Sequence, residues 1–204
     1  MISRTELKNR IVNACEKVIG AEGYLTEIDS KFGDADHGLT MHKIAETIKT
    51  TVEASEGTIK EMLDDAAMAV MGLNGGSAVP LWNTWLDGMQ EGAPEAEETD
   101  VEGLKAMFAS AFEALDDISG AKFGDKTMMD ALIPATEAIA AYTGDSEAGL
   151  FDTAAEAAAK GAEDSKNHVA KFGRAKSYGQ KTIGTPDAGA VSMSTFFEGL
   201  RKEA

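Results

Sequence analysis

Cysteine occurs once in the 204 residues, as Cys15, so the chain can close no internal disulfide and build no cysteine-based zinc cluster. Long apolar runs are missing too. No stretch of about 18 uninterrupted apolar residues occurs, which excludes a membrane-spanning helix. Positive charge is short: 19 Lys and Arg stand against 35 Asp and Glu, a formal charge of −16. So acidic a surface disfavours sequence-independent nucleic-acid binding and adsorption to anionic membranes, because its mean field repels phosphates. The N-terminal stretch MISRTELKNR lacks the apolar segment of a secretion signal. A cytoplasmic protein is the expectation. Aromatics are sparse at 6%, yet hydrophobic content of 43% suffices for a packed core, so the acidity belongs to a folded surface rather than a disordered tail. The length fits a single domain over 1–204.

Strand signals are almost absent, whereas helix signals are frequent. Leu7, Ile11, Val12, Cys15, Val18 and Ile19 recur every three or four residues, as one helical face requires. Ser3 with Glu6 reads as a capping box before that helix, and Thr58 with Glu61 repeats the device before Met62, Ala66, Ala69 and Val70. Asp100 is placed to cap a stripe of Leu104, Met107, Phe108, Ala111, Phe112 and Leu115. Further helices are read over Met128–Tyr142 and the alanine-rich Glu147–Ala170, with shorter ones over Leu39–Val52, Leu81–Met89 and Ala190–Lys202. The total is about eight, an all-α bundle. Gly92–Thr99 reads as a solvated loop.

The chemistry sits between the helices. Asp29, Asp34 and Asp36 fall within eight residues around Gly33. Two like charges about 4 Å apart repel by roughly 4 kcal/mol at an effective dielectric near 20, so convergence of all three needs a cation, and hard oxygens suit Mg²⁺ or Ca²⁺. An EF-hand spacing is not met. The other reading of the same residues is a solvated acidic turn with Asp36 as a helix N-cap, and the spacing leaves both open. Gly72–Ala78 brings glycines to a helix start near Pro80, where backbone N–H groups and the helix dipole favour an anion. It is no Walker A loop, since G-x-x-x-x-G-K-[ST] is absent. Gly120–Asp130, and Gly173–Gly179 running on to Gly184–Ala190, again join glycine, charge and a helix start. Arg174, Lys176 and Lys181 add cations suited to phosphate oxygens.

Taken in order, Ile28-Asp29 with Gly33-Asp34-Ala35-Asp36-His37-Gly38 and Met41, the Gly75-Gly76-Ser77 turn, Gly124-Asp125-Lys126-Thr127-Met128 with Asp130, and Gly173-Arg174-Ala175 with Asp187 and Gly189 resemble the L subunit of dihydroxyacetone kinase over nearly the whole chain. That subunit is the nucleotide-binding partner of a two- or three-component kinase. The resemblance implies a barrel of eight antiparallel amphipathic helices with ADP or ATP held by the loops at one end. It implies two Mg²⁺ on Asp29, Asp34 and Asp36, and nucleotide contacts from His37, Gly38, Leu39, Thr40, Gly76, Ser77, Ala78, Met128, Arg174, Asp187 and Gly189. The ketose would bind a separate K-type subunit, so no substrate-attaching histidine is expected, and His42 and His168 are read as ordinary helix-surface residues.

The resemblance further implies phosphoryl transfer governed by positioning and charge neutralisation. Either a phosphotransferase-system (PTS) M-type protein recharges held ADP, or ATP exchanges as a substrate; a transcription regulator is a further partner. The chain departs from the family pattern at Thr40, where asparagine is frequent, at Ala78-Val79, where serine and glycine are usual, and at Ala188, where proline is usual. These departures leave a divergent acceptor sugar, a regulatory module or a lipid-binding barrel as alternatives.

Overall fold

The computed structural model describes residues 1–201. Its α-helices are α1 (Arg4–Gly20), α2 (Glu22–Ser30), α3 (His37–Ala54), α4 (Ile59–Met71), α5 (Ala78–Glu91), α6 (Val101–Ser119), α7 (Met129–Ala141), α8 (Glu147–Asp164) and α9 (Ala188–Leu200). Eight of them form a closed ring in the order α1, α3, α4, α5, α6, α7, α8, α9 and back to α1, while the short α2 flanks α3. Because α3, α5, α7 and α9 start, and α2, α4, α6 and α8 end, in the four loops singled out above, all four loops gather at one end of the ring. The expected all-α barrel is observed. No helix among the described residues is long and apolar enough to cross a membrane.

The ring interior is filled. Trp82, Trp85, Phe108, Phe196 and Phe197 stack in tilted and edge-to-face pairs 5.3–6.3 Å apart, geometry that adds about 0.5–1.5 kcal/mol per pair beyond simple burial. The lumen between Leu7, Ile48, Leu86 and Phe151 retains a gap of about 10 Å³, room for one water at most. The seam closes where α9 crosses α1: a Cβ added at Gly199 would collide with the Ala14 backbone. Arg10 braces the same seam, donating to the Leu200 carbonyl at 2.7 Å and lying 4.9 Å over the Phe151 ring. The alanine bias of α8 is a packing device, since Ala154, Ala155, Ala158 and Ala162 form its buried face and Gly161 sits against the Asp130 carbonyl on α7.

Several boundaries differ from the sequence reading. Thr58 and Glu61 form both halves of the capping box. At Ser3 only one half forms: its hydroxyl accepts the Glu6 N–H at 3.2 Å, while the Glu6 carboxylate is drawn to Arg10 at 3.0 Å. The Gly92–Thr99 segment is no mere solvated loop. Glu98–Thr99 (β2) pairs antiparallel with Ile2–Ser3 (β1), and Ala93 and Thr99 are buried. The helix from Glu147 stops at Asp164 rather than Ala170, because the buried Ser165 hydroxyl donates to the Ala162 carbonyl and accepts the Asp187 N–H. Short 3₁₀ turns at Ser165–Asn167 and Arg174–Thr182, the second kinked at Gly179, follow instead. Of the last expected helix, Lys202 lies outside the described residues.

Candidate functional site

Asp29 does not come from a loop. It sits on the last turn of α2, and its carboxylate reaches over the chain reversal to accept the N–H groups of Asp36 at 3.1 Å and His37 at 3.3 Å, capping α3 from outside. The reversal needs glycine at Gly33, where a Cβ would strike the Asp29 carboxylate. Asp36 occupies the N-cap position of α3, yet its side chain caps nothing. The simple N-cap alternative is therefore not realised, and the carboxylate is released toward its neighbours. Between Asp34 and Asp36, Ala35 is held at φ +62°, a left-handed conformation costing a non-glycine residue roughly 1–3 kcal/mol. Asp29, Asp34 and Asp36 each offer an oxygen, all within 4.8 Å of one another.

The charges are poorly balanced. Partial burial, then the Asp34 and Asp29 carboxylates, push the Asp36 carboxyl above its ordinary value, with Arg174 opposing. Arg174 supplies one compensating charge, 2.6 Å from Asp34. Three hard anionic oxygens against one guanidinium leave room for a divalent cation, so the residues present fit Mg²⁺.

The cluster opens onto a cavity of about 620 Å³. Its polar wall includes His37, Gly76, Ser77, Ala78, Thr127, Arg174, Asp187 and Gly189, and its apolar wall Ile28, Leu81, Met128, Met129 and Phe172. That volume suits a nucleotide-sized ligand. The start of α5 faces it with Ser77 as an N-cap whose side chain makes no capping bond, so the first N–H groups of the helix are not claimed by that hydroxyl. The α5 helix begins at Ala78, two residues before the expected Pro80. A Cβ at Gly76 would lie 3.8 Å from the Asp36 carboxylate, so the glycine turn and the acidic cluster are immediate neighbours.

Of the residues read from sequence, Asp29, Asp34, Asp36, His37, Gly76, Ser77, Ala78, Met128, Arg174, Asp187 and Gly189 line this one cavity. Gly38, Leu39 and Thr40 do not. Gly38 is pressed against Thr26 and the Glu22 carbonyl of α2, Leu39 is exposed on α3, and Thr40 is buried where its methyl and that of Val79 both face Gly75. His37 bonds the Ser192 hydroxyl at 3.1 Å, which ties α3 to α9, and burial lowers its pKa. His42 is on the α3 surface beside Glu22, as expected.

His168 is not. It lies in the α8–α9 connection with its Nδ1 2.7 Å from the fully buried Asp130. Asp130 also accepts the N–H groups of Gly124 at 3.0 Å and Thr127 at 2.9 Å, and so organises the α6–α7 loop. Sequence reasoning also missed Lys126. Held at φ +61° and buried, it donates to the Ser165 and Thr185 carbonyls at 2.6 and 2.5 Å, and burial lowers its pKa against the pull of Asp187 and Asp130. Asp187 caps α9 through the Ala190 N–H at 2.8 Å, and burial pushes its carboxyl up to about 7.

A family model described as the DAK2 domain matches residues 31–202. Over 184 residues the chain is 32% identical to D-erythrulose kinase of Mycolicibacterium smegmatis, an alignment covering 88% of this chain and 32% of that protein. Over 199 residues it is 28% identical to the PEP-dependent dihydroxyacetone kinase, ADP-binding subunit DhaL, of Escherichia coli, covering 94% and 93%. The chain thus spans a third of the first relative and nearly all of the second. The dihydroxyacetone kinase of C. freundii superposes with a TM-score of 0.71 at 23% identity over 95% of this chain and 33% of that one, and its AMP-PNP and Mg²⁺ complex with 0.69. At that identity the likeness speaks for the fold. The family model covers most of the chain, and motifs far apart in sequence meet around one cavity: the chain belongs to the DAK2 domain family.

Proposed function

We propose that this chain works as one domain, the ADP- or ATP-binding subunit of a dihydroxyacetone-type kinase, and passes a phosphoryl group to a short ketose held on a separate K-type subunit. The observation that carries the reading is the convergence of Asp29, Asp34 and Asp36 within 4.8 Å at the edge of the 620 Å³ cavity, next to the start of α5, where the Ser77 side chain makes no capping bond. Asp29, Asp34 and Asp36 would hold Mg²⁺, which supplies charge neutralisation to the nucleotide phosphates. The chain's own part is positioning. Backbone N–H groups at Ser77 and Ala78 would donate to phosphate oxygens, and Arg174 would add a charge from the facing side. Met128, Met129, Leu81 and Phe172 would give the base an apolar wall. His37, fixed by Ser192, keeps the starts of α3 and α9 in register across the cavity.

The two nitrogen nucleophiles that line the cavity are engaged, His37 by the Ser192 hydroxyl and Lys126 by the Ser165 and Thr185 carbonyls, which supports an acceptor that arrives on a partner closing the mouth and excluding water. Recharging of held ADP by a PTS-type phosphoryl donor fits the kinship with the PEP-dependent subunit. The test is purified protein with Mg²⁺, ATP or a PTS donor, and dihydroxyacetone or erythrulose, with and without a K-type subunit. Phosphorylation should appear only with the partner and saturate in its concentration; turnover by the chain alone overturns the reading.

A further inference from the structure

Resting on the nucleotide-binding reading above, we propose that His168 is a positioning residue for nucleotide retention: clasped to Asp130, it fastens the 165–187 strap to the cavity wall and thereby keeps Arg174 over the mouth. The strap leaves α8 at Ser165 and crosses the open end of the ring. Its tip touches the opposite side twice, through Arg174 to Asp34 at 2.6 Å and through Tyr178 against the Phe32 ring at 5.2 Å. Both tip contacts are surface contacts, so what holds the tip down must act at the base.

The base has three kinds of fastening. Lys126 donates to the Ser165 and Thr185 carbonyls, and Gly184 N–H donates to the Lys166 carbonyl at 2.8 Å, which pins the two ends of the strap but not its middle. Lys171 meets Asp125 twice: its backbone N–H donates to the Asp125 carbonyl at 3.1 Å, and its ammonium lies 2.5 Å from the carboxylate, but that side chain is 61% exposed, and ion pairs of that kind contribute little. His168 differs from both. Its partner Asp130 is 0% exposed, the 2.7 Å contact is a hydrogen bond to a buried carboxylate, and the Phe123 ring packs edge-on at 5.3 Å to shield it. Asp130 already receives two backbone N–H groups, so an acceptor-only carboxylate requires His168 to present Nδ1 as N–H. Loss of the imidazole leaves those two backbone bonds in place. The α7 start should therefore survive while the strap loses its side-chain hydrogen bond to the fully buried Asp130.

The measurement is stopped-flow release of fluorescent methylanthraniloyl-ADP in Mg²⁺ from the full chain. His168→Ala should release it about tenfold faster, the ratio expected for one hydrogen bond to a charged group, with association changed less than about twofold. His168→Asn sets an amide N–H where Nδ1 stood and should restore slow release to within about threefold. A second readout needs no nucleotide: trypsin should cut after Lys176 and Lys181 faster in His168→Ala than in wild type or His168→Asn, at equal melting temperature. Release and cleavage unchanged in His168→Ala, or equally fast in both variants, overturns the proposal. Failure of the wild type to bind the probe would instead remove the nucleotide reading, and the cleavage comparison would still decide the fastening.

Discussion

Asp34→Asn separates a metal cluster from an acidic turn, because only the metal reading couples unchanged or raised stability to a loss of MgADP affinity. In the free protein the Asp34 carboxylate meets two like charges within 4.8 Å and one guanidinium at 2.6 Å. Unit charges at that separation repel by about 1 kcal/mol at the dielectric of water and about 3.5 kcal/mol at an effective value of 20. Asp34 is 38% exposed, so the lower figure applies, and the two repulsions sum to roughly 2 kcal/mol. The Arg174 pair returns at most about 1 kcal/mol. Neutralising Asp34 should therefore leave the free protein as stable as before or about 1 kcal/mol more stable, a melting rise of about 2–4 °C for a domain of this size. MgADP affinity should move the other way, falling at least about tenfold, or 1.4 kcal/mol, because the cluster loses an anionic ligand. Thermal melting and calorimetric titration on the same two preparations read both quantities. MgADP affinity unchanged in Asp34→Asn would refute the reasoning outright.

The half-buried Asp187 gives a pH signature: desolvation raises its carboxyl from the ordinary 3.8 to about 7, so the folded state binds the extra proton and stability falls as pH rises from 4 to 7. Asp187→Asn, which keeps an acceptor for the Ala190 N–H, should flatten that slope in urea melts. Ala78→Ser, at the start of α5, adds a hydroxyl to the phosphate-facing turn and should tighten ADP about threefold to tenfold by titration, whereas weaker binding would show a pocket remodelled around the methyl group. Gly199→Ala drives a Cβ into the Ala14 backbone and should cost about 1–3 kcal/mol by opening the α1–α9 seam, seen as an earlier denaturant midpoint.

What the sequence made legible, and what it hid, divides along the range of the interactions. Caps are local, so Thr58 with Glu61 and Asp100 announced α4 and α6 correctly. Helices successive in the chain, α2 aside, are neighbours in the ring, and the longest connection is 165–187 between α8 and α9. Helix α2 escaped because only Leu25 and Ile28 of its nine residues are buried, too few to show a period, and a single residue, Ala21, separates it from α1. The β1–β2 pair is two residues per strand, too short for any alternation. At the site, the density of Asp29, Asp34 and Asp36 was visible, because like charges so close demand a reason. Lys126 and His168 were not, since the partners that give them meaning are carbonyls 39 and 59 residues away and a carboxylate 38 residues away. The alanine pattern after Glu147 carried the helix too far for the same reason: Ser165 is turned by Asp187, 22 residues on.

The central claim is that the carboxylate cluster and the cavity act together to hold a metal-bound nucleotide. Titrating ADP into the full chain by calorimetry, once in millimolar Mg²⁺ and once in EDTA, tests it most directly. ADP should bind tightly with Mg²⁺ and at least about a hundredfold more weakly in EDTA, a difference near 2.7 kcal/mol. Equal affinity in the two buffers, or no binding in either, would contradict it.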